Sequence, residues 1–234
     1  MKTFKHSGDL GDIIFSLPTI RALGGGVLYL DPEAGLSSPL VKWADRKKTK
    51  LTAGAIQSLI PVLEQQEYIK GVELWKDQKV DYDLDLFRKH VIYNNLSDSH
   101  LAAFNLPFSE RDTAWLKIKN ARPLHKNVII SRSVRYHGNF SFWENYLPVI
   151  KDDCLFVGFE KEHDIFEYTF GHKVEYYKTE SILDLTQVID GSHLFVSNQG
   201  LPHALAEGLK KNLINEVFRV YPAAVFKRDD AQYV

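Results

Sequence analysis

Apolar residues along the chain fall into short runs that switch between strand-like and helix-like spacing. Lys2-Thr3-Phe4-Lys5-His6 reads as a strand that breaks into Ser7-Gly8-Asp9-Leu10-Gly11-Asp12. Ile13, Ile14, Leu17, Ile20 and Leu23 then recur at helical spacing and stop at Gly24-Gly25-Gly26. Pro18 interrupts that pattern, so a kink there, or an irregular first turn, is expected. Val27–Leu30 predicts a second strand, about Ala53 to Gln66 a helix, and Val72–Trp75 and Tyr82–Phe87 two more strands. Strands separated by helical patterns indicate βαβ units and a largely parallel sheet.

The pattern restarts after a polar stretch, Lys117 to Asn127, that contains Pro123. Two domains are therefore expected, over residues 1–122 and 123–234. Val128–Ile130, Leu155–Gly158, His193–Ser197 and Leu213–Val217 predict the strands of the second. Ser141-Phe142-Trp143-Glu144 has the form of a capping box, with Trp143 and Phe142 packing the helix onto the sheet. Ser181 opens a helix that Asp190-Gly191 closes, the glycine suited to a left-handed turn, and Pro202 fits the start of another helix. The stretch from Arg219 to Val234 either crosses back onto the first domain or hangs loose. Two such halves predict a cleft. Ligands of open parallel sheets sit beyond the C-terminal strand ends, which singles out the loops Ser7–Asp12 and Ser197–His203.

Composition narrows the function classes. The 234 residues are 44% hydrophobic and 25% charged, which excludes wholesale disorder. Lys+Arg 29 against Asp+Glu 30 leaves a net charge of -1, so nothing in the charge favours nucleic acid. The apolar runs are too short to span a bilayer, and the first residues lack a signal peptide's apolar core. A cytoplasmic protein is expected, with peripheral membrane contact left open. The one cysteine, Cys154, reads as a small buried residue.

Several residues carry candidate chemistry. Gly8 and Gly11, with Asp31 after the second strand, invite comparison with a dinucleotide-binding turn and hence an NAD-dependent oxidoreductase. The spacing is G-x-x-G, Ile14 stands where a third glycine is wanted, and Asp12 would repel the pyrophosphate. Asp12 suits either a helix cap or a base aimed into a cleft. Asp81, Asp83 and Asp85 form a D-x-D-x-D run that could hold a metal, but their alternation with Val80, Tyr82, Leu84 and Leu86 favours a strand. His6, His137, His163, His172, His193 and His203 show no metal-ligand spacing, and only His203 stands at the start of a loop-following helix. Arg132 and Arg135 follow a strand end, where they fit ion pairs or an anion site. Arg46-Lys47-Lys48-Thr49-Lys50 reads as solvated surface, with an acidic-acceptor patch as the other reading.

GDLGDIIFSLPTIRALGG resembles the opening of glycosyltransferase family 9, the heptosyltransferases. VDYDLDLFRK, SRSVRYHGNFSFWENYLPVI, LFVGFEKEHDIF and LFVSNQGLPHALAEGL are similar to later segments of that family, in the same order. The resemblance implies a GT-B architecture, two Rossmann-like domains facing across a cleft. It also implies inverting transfer, without a metal or other cofactor, of a sugar from a nucleoside diphosphate donor to a glycan or other hydroxyl acceptor. By position, Asp12 would be the base. Gly11, Arg132, Arg135, Glu162, Asn198, Gln199, Gly200, His203 and Glu216 would serve the donor, with Gly200 and His203 at its diphosphate. Glu162 or Glu216 would stand near the ribose. The family usually carries Asp-Ser/Thr-Gly where this chain has Asn198-Gln199-Gly200, and the chain is about a hundred residues shorter than expected. Those departures leave room for a non-catalytic nucleotide-sugar-binding protein.

Overall fold

The computed structural model describes residues 1–32, 34, 51–92, 95–150 and 152–234; the basic run Arg46–Lys50 lies outside them. The chain divides into two compact units, Met1–Lys117 and Ile118–Val234.

The first unit is built on a parallel sheet of β1 (Lys2–His6), β2 (Gly26–Leu30), β3 (Ile69–Leu74) and β4 (Tyr82–Asp83), in the order β3-β2-β1-β4. Helix α1 (Leu10–Ala22) follows β1, α2 (Ala53–Leu63) precedes β3, and α3 (Leu96–Ala102) packs against α1. Every residue of α1 from Ile13 to Ile20 is buried, so its polar groups need internal partners. The Ser16 hydroxyl donates to the Ile13 carbonyl at 2.7 Å, and the Ser97 hydroxyl of α3 donates to the Phe15 carbonyl at 2.9 Å. The first turn is regular, and the helix continues through Pro18 to Ala22.

The strand expected over Tyr82–Phe87 stops at Asp83. The Asp83 carboxylate accepts the Asp85 N–H at 3.0 Å and turns the chain into a 3-10 helix, Leu84–Lys89. Short acidic side chains compete with the sheet for backbone donors in this way, and here they overrule the alternation.

The second unit holds a six-stranded parallel sheet, β10-β9-β8-β5-β6-β7. Its strands are β5 (Val128–Ser131), β6 (Cys154–Gly158), β7 (Glu175–Lys178), β8 (Leu194–Asn198), β9 (Leu213–Glu216) and β10 (Ala231–Tyr233). Counted from β5 as the first, the order is 3-2-1-4-5-6, the doubly wound arrangement whose switch point falls between β5 and β8. Helices α4 (Phe140–Ile150), α5 (Glu160–Phe170), α6 (Ile182–Gly191) and α7 (Leu201–Leu209) complete it. Val128, Ile130, Trp143, Leu147, Cys154, Phe156, Phe166 and Val196 belong to one buried cluster. Cys154 is buried as expected, and burial pushes its thiol up to about 11.

Three local expectations are corrected. Helix α4 starts two residues early: Asn139, not Ser141, is its cap, with its side-chain oxygen accepting the Phe142 N–H at 3.0 Å. Gly191 is the last residue of α6 and has no positive φ. Its missing side chain serves a close approach instead. A Cβ there would fall 2.3 Å from the carbonyl carbon and oxygen of Arg122 and 2.4 Å from the nitrogen of Pro123. The 219–234 stretch is neither loose nor directed elsewhere, for it ends as edge strand β10, with Ala231 beside Leu213 and Tyr233 beside Asn215. A fully buried Glu207 in α7 anchors it, accepting from the Tyr233 hydroxyl at 2.5 Å and pairing with Arg228 at 3.2 Å.

Candidate functional site

In the first unit the residues of interest gather at the C-terminal end of β1. The Ser7 N–H donates to Asp85 at 3.0 Å and the Ser7 hydroxyl at 2.6 Å. The Gly8 N–H donates to His6 Nδ1 at 2.8 Å, and the Asp9 N–H to the Asp12 carboxylate at 3.1 Å. Three successive amides are thus taken by side chains of the same unit. Asp85 is further held by Arg88 at 2.5 Å and Lys5 at 3.5 Å. Burial works against its charge, but the surrounding positive charge and the Ser7 and Arg88 hydrogen bonds hold its carboxyl well below the usual range. Asp12 is half-buried at the third position of α1, next to half-buried Gly11, and one of its oxygens caps the helix start.

This geometry argues against a dinucleotide turn. Such a turn binds pyrophosphate through the amides that here face Asp85, His6 and Asp12. Asp31, the would-be ribose acid, is buried with its carboxylate 3.4 Å from Lys5.

In the second unit the predicted residues collect around the switch point between β5 and β8, and the structure gives them two kinds of place. Arg132, at the end of β5, is buried and forms a two-pronged pair with fully buried Glu216 at the end of β9, at 2.7 and 3.1 Å. Its guanidinium also lies 5.0 Å from the Phe140 ring centre and 5.2 Å from that of Phe170. Glu216 accepts in addition from the Gly138 N–H at 2.7 Å, the Asn139 N–H at 2.9 Å and Trp143 Nε1 at 2.8 Å. Five donors use up the acceptor positions of one carboxylate. Burial alone would raise its pKa, but the Arg132 bonds and charge and the two amides bring it below the ordinary carboxylate value.

Buried Asn198, at the end of β8, holds the other end of the same loop. Its oxygen accepts the Ser133 N–H at 2.9 Å, while its nitrogen donates to the carbonyls of Ser133 at 3.1 Å and Arg135 at 2.5 Å. A carboxylate could supply the first of these contacts but not the other two. Gln199 holds a neighbouring segment by donating to the Tyr221 carbonyl at 3.0 Å and accepting the Phe218 N–H at 2.6 Å. His203 is fully buried, its Nε2 lies 2.9 Å from the Ala224 carbonyl, and burial keeps its pKa below the usual imidazole value.

What remains nearer to solvent is smaller. Arg135 is exposed, and Glu162 and Gly200 are half-buried. Burial raises the Glu162 pKa against the amides of Phe159 and Val134 and the charge of Arg135. Gly200 precedes α7, whose first internal bond runs from the Ala204 N–H to the Gly200 carbonyl at 3.1 Å. The positive end of that helix therefore opens at the switch point. Sequence reading missed the organising roles of His6, Asp85 and Trp143. Alternating aspartates and a helix-borne tryptophan look the same in sequence whether they pack or hold a loop.

Among the described residues no three His, Cys, Asp or Glu side chains gather to hold a metal. In the D-x-D-x-D run, Asp81 accepts from the Thr3 N–H and hydroxyl, Asp83 caps a turn and Asp85 holds Ser7. None of the described helices is long and apolar enough to cross a membrane.

No protein-family model and no curated protein sequence matches the chain. Its fold does match solved structures. A glycosyl transferase family 9 protein from Veillonella parvula superposes with a TM-score of 0.61 at 10% identity, over 99% of this chain and 84% of that one. The E. coli heptosyltransferase WaaC with ADP-2-deoxy-2-fluoro heptose gives 0.59 at 10% identity, over 100% and 93%. E. coli ADP-heptose lps heptosyltransferase II gives 0.53 at 12% identity, over 100% and 90%. The chain thus has the α/β, GT-B-like fold of the family 9 heptosyltransferases, with two parallel sheets.

Proposed function

We propose that this protein is a glycosyltransferase that moves a sugar from a nucleoside diphosphate donor to a hydroxyl acceptor, with inversion and without a metal. One observation carries the reading. At the switch point of the 3-2-1-4-5-6 sheet, Asn198, just before the start of α7, holds the loop that carries exposed Arg135, where a doubly wound fold takes an anionic ligand. A structure with this fold was solved with an ADP-heptose analogue, which supports a nucleotide sugar as that ligand.

The roles divide by chemistry. Departure of a nucleoside diphosphate builds negative charge, which Arg135 and the α7 start would stabilise in place. Glu162 would accept from a ribose hydroxyl. Arg132, Asn198 and Glu216 brace the loop that carries Arg135, while Gln199 and His203 brace residues 218–224. Asp12 would take the proton of the acceptor hydroxyl as the sugar acquires oxocarbenium character, and Gly11 beside it presents no side chain to obstruct the approach. The departure from the family's Asp-Ser/Thr-Gly fits the same scheme. Asn198 donates to two carbonyls of the Arg135 loop, so in this scheme the amide serves the brace.

The test is a thermal-shift series with ADP, UDP, GDP, CDP, their common sugars and NAD(H), followed by transfer assays with the donor found. A ligand at a hundredfold over its Kd adds about 2.7 kcal/mol, enough to move the unfolding midpoint visibly. Stabilisation by one nucleoside diphosphate series is expected. Asp12→Asn should abolish transfer while nucleotide affinity stays within a few fold. Response to NAD(H) alone would overturn the proposal, and unimpaired turnover by Asp12→Asn would remove Asp12 from it.

A further inference from the structure

Two histidines that take no part in the scheme above lie directly behind Asp12. His6 ends β1, His100 lies in α3, and both are fully buried. Their Nε2 atoms are 3.0 Å apart. Their other nitrogens face backbone groups, and those groups fix the protons. His6 Nδ1 accepts the Gly8 N–H, so it carries no hydrogen and the neutral ring is protonated at Nε2. That proton points at His100 Nε2, which must accept. His100 is then protonated at Nδ1, and Nδ1 donates to the Leu96 carbonyl at 2.8 Å. One proton arrangement satisfies all four nitrogens, running from Gly8 through both rings to the first residue of α3. Asp85, at 3.9 Å from His6 Nδ1, is too far to compete for it. The Phe87 ring covers the pair, stacked on His100 at 4.1 Å between centres.

The loop side of this relay is equally close. A Cβ on Gly8 would fall 2.5 Å from His6 Cε1, and 2.7 and 2.8 Å from Asp12 Cβ and Oδ2. The Gly8 backbone therefore lies against both the imidazole and the Asp12 side chain, and only glycine fits there. Two buried imidazoles cost more to desolvate than two apolar side chains would. What they provide in return is a fixed acceptor for one amide, that of Gly8.

We propose that His6 and His100 are positioning residues, whose hydrogen-bonded relay holds the Gly8 turn and thereby sets the place of the Asp12 carboxylate. The inference rests on Asp12 being the base. Asp12 stands in the first turn of α1, and its carboxylate is tied back to the Asp9 N–H, so its place depends on how the Ser7–Asp9 turn is held. A shift of about 1 Å in a reacting group can cost about a hundredfold in rate.

The test compares His6→Phe with His6→Asn in the full chain. Phenylalanine keeps the ring volume and removes the acceptor, whereas the asparagine oxygen stands near the place of Nδ1. For His6→Phe, kcat per folded molecule should fall about 10- to 100-fold with donor KM within about twofold, and His6→Asn should recover most of the loss. Equal losses in the two variants, or an unchanged kcat in His6→Phe, would overturn the proposal. A second readout needs no turnover. Nitrogen-15 spectra of histidine-labelled protein should show His6 protonated at Nε2 and His100 at Nδ1. The Asp12 carboxyl carbon resonance should shift in His6→Phe and return in His6→Asn. The opposite tautomers, or an Asp12 resonance indifferent to both variants, would overturn the relay itself. Absence of transfer by the unaltered protein would overturn the transferase reading and leave these spectra to decide the relay.

Discussion

Glu216→Gln tests whether the second unit is organised around one buried carboxylate. Oε1 accepts from Arg132 Nη2, Gly138 N and Asn139 N, and Oε2 from Arg132 Nε and Trp143 Nε1. A glutamine keeps one oxygen. Whichever way its amide turns, at least two buried donors then face an NH2 group, at about 1–3 kcal/mol for each unsatisfied group. The same change leaves the Arg132 guanidinium without its countercharge, and breaking a buried pair typically costs about 3–5 kcal/mol. The two descriptions overlap, so the expected loss is about 3–5 kcal/mol in the second unit. Urea unfolding followed by circular dichroism and tryptophan emission measures it, with an unchanged m-value as the sign that only stability has moved. The pH dependence has a definite sign. The folded carboxyl titrates below its unfolded value of about 4.3, so its contribution is complete above that pH and disappears as pH falls through the folded value. The gap between the two proteins should therefore narrow in acid. Replacing the pair together, Arg132→Met with Glu216→Leu, removes the uncompensated arginine charge but should recover only part of the stability, since the Gly138 and Asn139 amides and Trp143 Nε1 still lose their acceptor. It should not restore nucleotide binding, because the Gly138 and Asn139 amides stay unheld. A loss below about 1 kcal/mol for Glu216→Gln would refute this account.

Other substitutions probe other contacts. Asn198→Asp exchanges two donated hydrogen bonds for repulsion between a carboxylate and the carbonyls of Ser133 and Arg135, so nucleotide affinity measured by calorimetry should fall about tenfold. Gly191→Ala drives a methyl group into the Arg122–Pro123 peptide and should destabilise the second unit by about 1–3 kcal/mol in denaturant unfolding. Burial lowers His6 to about 4 and His100 well below the ordinary value, with His6 facing Asp85, Arg88 and Lys5 as well as His100. The unfolded chain, with histidines near 6.5, then binds protons first as pH falls. Stability of the first unit should rise with pH between about 4 and 6.5, and His6→Phe should flatten that slope.

Much of the fold was legible because its strands are buried on both faces. Val128–Ile130, Leu155–Val157 and Leu194–Val196 are short apolar runs, and each lies within a strand of the second sheet. Helix α1 was legible from its spacing, although its burial on all sides left little polar face to confirm it. Where the reading failed, a side chain had taken over backbone hydrogen bonding. Asp83 ends β4 by capping, and Asn139 starts α4 two residues before the serine whose spacing looked right. At the candidate site, sequence named the loops but could not divide the residues left near solvent from those buried in holding the loop. Arg132 and Arg135 are three positions apart and chemically alike, yet one is buried on Glu216 and the other is exposed. That difference depends on β9, more than eighty residues further on, whose glutamate had no local mark of its partner.

The edge strand β10 bears on how the chain is made. Every strand of the first sheet lies within residues 2–83, and the unit's contacts close by Lys117. That unit can fold while the second is still being synthesised, as N-terminal domains generally do. The second sheet is different. Its outer ladder pairs Leu213 with Ala231, and buried Glu207 receives the Tyr233 hydroxyl, so α7 keeps an incompletely paired carboxylate until residue 233 has left the ribosome. Truncations that remove only residues 229–234 should therefore leave a nascent second unit arrested with its edge open, exposed to chaperones and proteases while the first unit stands complete.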